Sequence, residues 1–161
     1  MSSTPRPAKR TGSRDAAADA PEGKRDAKES RRAKAYVKET GDIRVSVNPT
    51  FLEEQSSPSD DHYVWAYHVR IENAGNETVQ LRRRHWEITD SSGRRQEVRG
   101  PGVVGEEPVL APGESFEYTS SAMIPTPVGS MQGNYFLITD DGSEFAVAIP
   151  VFSLAKPNIV N

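Results

Sequence analysis

Residues 63–73, Tyr63-Val64-Trp65-Ala66-Tyr67-His68-Val69-Arg70-Ile71-Glu72-Asn73, decide the fold. Tyr63, Trp65, Tyr67, Val69 and Ile71 fall on one parity, and Val64, Ala66, His68, Arg70 and Glu72 on the other. Aromatic and β-branched residues at period two predict a strand with one face against a core. Asn73-Ala74-Gly75-Asn76 then turns the chain.

On the N-terminal side, Ile43, Val45 and Val47 alternate with Arg44, Ser46 and Asn48, and Pro49 ends regular pairing or marks an edge. Ser56 to Asp61 reads as a loop. On the C-terminal side Val79 and Leu81 start another strand, yet the apolar residues that continue it, Trp86 and Ile88, have the opposite parity. A β-bulge near Arg82-Arg83-Arg84 would restore the register, and at least one of those arginines must then change face. Ser91-Ser92-Gly93 ends this strand and Arg94 to Arg99 returns antiparallel. Ala111-Pro112-Gly113-Glu114 is a turn with Pro at its first corner. Phe116, Tyr118, Ser120, Ala122 and Ile124 alternate, residues 125–133 read as a long loop, and Tyr135 to Thr139 is apolar on both faces like a central strand. Asp140-Asp141-Gly142 is a hairpin turn into a last strand through Phe145, Val147, Ile149 and Val151, whose end Pro150 demotes to an edge.

About seven short strands and no amphipathic helix predict an all-β sandwich of roughly 120 residues. Its two sheets should bury Val45, Trp65, Tyr67, Val69, Phe116, Tyr118, Leu137 and Val147.

Residues 1–39 are different in kind. They hold 11 Lys+Arg against 6 Asp+Glu, and the remainder holds 9 against 17. The first 26 residues lack Val, Ile, Leu and aromatics, so they cannot offset the entropy of ordering. We read residues 1–40 as a disordered basic extension, its composition allowing a short helix over 24–39, and 41–161 as the folded domain. The acidic body disfavours a surface that tracks phosphates, which leaves nucleic acid to the tail alone. With no cysteine, disulfides, thiol catalysis and cysteine metal sites are excluded. No apolar run nears the roughly 20 residues of a membrane span, and no signal peptide opens the chain. No membrane association is expected, and a cytoplasmic location is the default.

Gly100, Gly102 and Gly105 match G-x-G-x-x-G, but Glu106-Glu107-Pro108 and Pro112-Gly113 follow where a dinucleotide site needs a helix. A dinucleotide site is therefore excluded. A weaker reading survives, in which the loop amides hold an anion or nucleotide polyphosphate, assisted by Arg94, Arg95 and Arg99. Val103, Val104 and Met131 are the candidate apolar contacts for a protein partner. Of the three imidazoles, His62 and His68 would lie about 20 Å apart on one strand. His85 is expected to be a strand residue with a hydrogen-bonding role. No metal, cofactor or catalytic residue is assigned, and Ser120-Ser121 has no nucleophile elbow.

Residues 84–120, RHWEITDSSGRRQEVRGPGVVGEEPVLAPGESFEYTS, resemble the signature of the ApaG family. QSSP at 55–58, YVWAYHVRIEN at 63–73, TPVGSMQGNY at 126–135 and IPVFSLAKP at 149–157 extend the resemblance over about residues 42–161. Ser121 departs from the glycine that many members carry there. The resemblance implies an immunoglobulin or fibronectin type III-like sandwich in a bacterial, cytoplasmic protein. It also implies gene neighbours that include a diadenosine tetraphosphate hydrolase and an rRNA methyltransferase, and an association with cobalt and magnesium efflux. No catalytic activity comes with it, and related eukaryotic domains imply protein binding. The expectation is a non-enzymatic binding or regulatory module whose partner is a protein, with anion or nucleotide-polyphosphate binding at Gly100–Gly105 as the alternative.

Overall fold

A computed structural model describes residues 35–157. Nine strands run through them: β1 (Tyr36–Thr40), β2 (Ile43–Phe51), β3 (Tyr63–Asn73), β4 (Val79–Asp90), β5 (Arg95–Pro101), β6 (Val109–Leu110), β7 (Ser115–Ile124), β8 (Val128–Thr139) and β9 (Glu144–Ala155). They form two antiparallel sheets, β1-β2-β3-β7 and β5-β4-β8-β9, with β6 paired to β4. The all-β sandwich is thus observed, with two strands beyond the expected seven.

Strand β3 is central to the first sheet, flanked by β2 and β7. Its residues Trp65, Val69 and Ile71 are essentially inaccessible, while His68 and Arg70 face solvent. All eight core residues expected from the alternation are buried. Between the sheets Trp86 packs on Tyr67 at 5.2 Å, and edge-on against Tyr135 and Phe152. The Tyr118 and Tyr135 hydroxyls bond to each other in this core. Burial raises both phenols well above the usual tyrosine range, so they stay protonated.

The parity break in β4 is a bulge. Leu81 pairs with Leu137 but Arg83 pairs with Phe136, leaving Arg82 as the extra residue. A second irregularity sets Gln132 of β8 against Pro150 and Val151 of β9, between the pairs Met131–Phe152 and Gly133–Ile149. Pro150 therefore sits in a bulge of an edge strand, where a missing donor is tolerated. Pro49 does not end β2, which runs on to Phe51. It lies beyond Val47, the last residue of β2 that β1 pairs among the described residues.

Two expectations are corrected. The helix allowed over 24–39 is a strand where it is described: Tyr36 to Thr40 pair with Val47 to Ile43, and Tyr36 packs on Phe152 at 5.9 Å. Pairing to β2 supplies backbone bonds and a packing surface that an isolated helix would lack. Residues 24–34 lie outside the described ones. The long loop over 125–133 shrinks to 125–127, because Val128 to Gly133 belong to β8. Gly133 is there for proximity: a Cβ on it would lie 2.0 Å from the His85 carbonyl oxygen.

Candidate functional site

The arginine-rich segment builds a hairpin from β4 and β5 that ends in the glycine loop. At its tip the Asp90 carboxylate accepts from the Ser92 amide, the Ser92 hydroxyl and the Arg94 amide. These donors, the Ser92 hydroxyl foremost, hold the Asp90 carboxyl below the usual aspartate range. The Asp90 amide donates to the Arg94 carbonyl, and at the far end the Gly102 amide donates to the Arg82 carbonyl. Antiparallel ladders alternate between bonded and non-bonded pairs. The bonded pairs are therefore Ile88–Gln96, Trp86–Val98 and Arg84–Gly100, which leaves the amides of Arg95, Glu97 and Arg99 pointing to the free side of β5.

The bulge at Arg82 sorts the three consecutive arginines. Arg82 reaches Glu107 at 3.0 Å. Arg83 lies over the Phe136 ring at 4.3 Å and 3.6 Å from Glu144. Arg84 takes the parity of Trp86 and Ile88, and its guanidinium donates to the carbonyls of Pro101 and Gly102 at 2.8 and 2.9 Å. The one core-directed arginine thus pins the glycine loop, across a Gly100 whose Cβ would lie 3.0 Å from that guanidinium.

The loop is a tight turn. The Val103 and Glu106 amides each donate to the other's carbonyl, and Val104 and Gly105 carry positive φ, 41° and 81°. Gly102 also needs positive φ, and a Cβ there would meet the Glu106 carbonyl oxygen at 2.2 Å. The amides of Gly100, Gly102 and Val103 are consumed by these bonds, which leaves only those of Val104 and Gly105 to an anion. Arg94 and Arg95 lie at the other end of β5, with Arg95 3.6 Å from Glu87. Arg99 alone of the three lines a cleft of about 280 Å³ with Gly100, Arg83, Arg84, His85, Pro101 and Phe136. Of the six residues of the expected anion set only Arg99 and Gly100 come together, in a cleft whose other lining residues, Arg83, Arg84, His85, Pro101 and Phe136, took no part in that expectation.

The three apolar contact candidates separate as well. Val103 and Met131 are each 1% exposed and belong to the core, whereas Val104 is 54% exposed. Val98 of β5 is also exposed, although it pairs with buried Trp86 on the inner face of its sheet.

His85 is a strand residue as expected; its buried Nε2 has no hydrogen-bond partner and stands at ion-pair distance, 3.6 Å, from Glu97. His85, Glu87 and Glu97 present ligand atoms all within 4.8 Å of one another. The cross-strand register that produces this cluster is not visible in residue spacing. His68 instead joins Thr119 and Glu117, each at 2.9 Å, in a network on the solvent face of the first sheet.

A sequence model of the ApaG domain matches residues 53–139. Protein ApaG of Rhodospirillum centenum is 60% identical over 123 residues, 76% of this chain and 95% of that protein. Protein ApaG of Paramagnetospirillum magneticum is 59% identical over the same coverage. A crystal structure of a protein designated ApaA from Bordetella pertussis superposes with a TM-score of 0.71 at 53% identity, covering 73% of this chain and 95% of that one. Among the described residues no helix is long and apolar enough to cross a membrane. From the signature hairpin, the loop that Arg84 pins and these relatives, the chain belongs to the ApaG family.

Proposed function

We propose that this protein is a non-enzymatic binding module that holds an extended segment of a partner protein along the free edge of β5. The observation that carries this reading is the inner face of β5, left open among the described residues. Val98 pairs with Trp86, which is 3% exposed, yet Val98 itself is 37% exposed. An added strand would extend the sheet, cover Val98 and engage the outward amides of Arg95, Glu97 and Arg99. Natural edges are usually blunted by proline, bulges or cover; here a proline comes only at Pro101. Val104, exposed on the adjoining turn, would supply further apolar contact.

The test is a proline scan of the edge. Arg99→Pro deletes an outward amide while sparing the ladder with β4, and Arg99→Ala removes the same charge but keeps the amide. Affinity capture from the native cell with the full chain should yield a partner that the alanine variant retains and the proline variant loses. Equal retention, or equal loss, on both variants would reject strand addition.

The cationic cleft favours a second reading, in which Arg83, Arg99 and the Phe136 ring hold a small anion or nucleotide polyphosphate. Calorimetric titration with ATP and diadenosine tetraphosphate should then give heat that Arg83→Ala abolishes. Absence of heat at millimolar ligand removes this reading.

A further inference from the structure

On the outer face of the β4–β5 hairpin two local defects lie side by side. Glu87 and Glu97 are directly opposite across the strands. By the ladder alternation they form a non-bonded pair, the closer of the two kinds. Like charges in that position destabilise a sheet. Beside them, the His85 Nε2 is buried and has no hydrogen-bond partner, 3.6 Å from the Glu97 carboxylate. A buried polar atom left without a partner costs on the order of 1–3 kcal/mol. Neither defect lies at the glycine loop, and strand addition at the free edge of β5 accounts for neither.

One divalent cation would remove both defects. It would balance the two carboxylates and give the imidazole nitrogen a partner. The three ligand atoms already lie within 4.8 Å of one another. Ligand bonds of about 2.0–2.2 Å would draw them together by small side-chain rotations. His85 and Glu87 are two residues apart on one strand, so they project from one face, and Glu97 comes from the facing strand. Such placement on paired strands gives the ligands a fixed frame. We propose that His85, Glu87 and Glu97 form a binding site for a divalent transition-metal ion of the Zn²⁺ class.

The donor set selects that class. One imidazole nitrogen with two carboxylates suits a borderline ion, whereas Mg²⁺ prefers an octahedron of oxygens and keeps its waters. Three protein ligands leave a further position open to water or to a group from a partner. The cations now nearest are side chains: Arg95 is 3.6 Å from Glu87 and Arg99 is 3.2 Å from Glu97. Both are more than half exposed, so they can swing away at little cost. Gln132 donates to Glu87 at 3.2 Å and steadies it from β8.

The test is calorimetric titration of the full chain with ZnCl₂, and separately with MgCl₂, in a non-coordinating buffer. One Zn²⁺ per chain is expected, with Mg²⁺ bound far more weakly. His85→Ala, Glu87→Gln and Glu97→Gln should each weaken Zn²⁺ by more than about tenfold, since even loss of an outer-shell partner costs that much. Arg95→Ala and Arg99→Ala should each tighten it, because they remove a competing cation. Circular dichroism checks that each variant folds, and the two glutamine variants carry the test if His85→Ala does not. The proposal is overturned if no Zn²⁺ binds, if binding survives the three ligand substitutions, or if His62→Ala or His68→Ala abolishes it instead.

Discussion

Val104 is the residue at which backbone and side chain disagree most openly. Its φ of 41° lies in the left-handed region, which a β-branched side chain rarely adopts, and it is exposed, so no packing compensates. Strain of this kind costs on the order of 1–3 kcal/mol and tends to persist where a surface is used. Asn enters the left-handed region far more readily. Val104→Asn should therefore raise the urea midpoint, by about 1 kcal/mol of stability, while weakening partner capture if Val104 is part of the contact. Arg84 presents the opposite case, a residue whose cost is fully answered. Its guanidinium is the only side chain bonded to the carbonyls of both Pro101 and Gly102 among the bonds described. Arg84→Met keeps the stem but removes the donors, so it should cost about 1.5–3 kcal/mol. Amide exchange should accelerate across Gly100–Gly105 more than in β8.

At the scale of the element, the β4–β5 hairpin is held at its tip by one carboxylate. Asp90 titrates below the ordinary aspartate value of about 3.9 because it accepts hydrogen bonds in the folded state. Its contribution is therefore complete at neutral pH. It declines as pH falls below about 4, where the unfolded chain takes up the proton first, and is gone once pH passes below the folded value. Unfolding by urea from pH 7 down to pH 2 should show wild type and Asp90→Asn converging at the acid end and separated at pH 7. The hairpin also shows what could be read beforehand. Alternation in β3, β7 and β9 and the turns at Gly113 and Gly142 were legible, since each depends on residues near in sequence. The parity break between Leu81 and Trp86 located the bulge and required an arginine to change face, but not which one. That depends on Arg82 being the extra residue against β8. Gly129 and Gly133 have the composition of loop residues, but their reason is distant: Cβ atoms there would meet the Thr89 and His85 carbonyl oxygens. The site was less legible still. Arg94, Arg95 and Arg99 are near the glycines in sequence, but an extended strand carries the first two about 15–20 Å away from Gly100. The cluster of His85, Glu87 and Glu97 arises from cross-strand register, which no spacing displays.

At the scale of the molecule, the sandwich is closed on one side and open on the other. Strand β9, the last of its sheet, packs against β1 and β2, and its Ala148 amide donates to the Thr40 hydroxyl at 3.1 Å. The Tyr36 ring lies on Phe152, which itself touches Tyr67 and Trp86. Strand β1 therefore caps the edge of one sheet, gives the neighbouring edge a partner, and completes the aromatic core. The opposite side, terminated by β7 and β5, has no equivalent closure in the strand order of the described residues. This asymmetry leaves β5 and β7 as the terminal strands of the open side and makes β1 part of the folded unit rather than of the tail. A chain beginning at Gly41 loses the Tyr36 contact and the Thr40 bond, and bares the outer edge of β2. Partial burial of a tyrosine and one hydrogen bond together amount to roughly 2 kcal/mol or more. Such a chain should unfold at lower urea than one beginning at Ala35, with faster amide exchange in β2 and β9. If β1 were only an accessory to the extension, the two chains would unfold together.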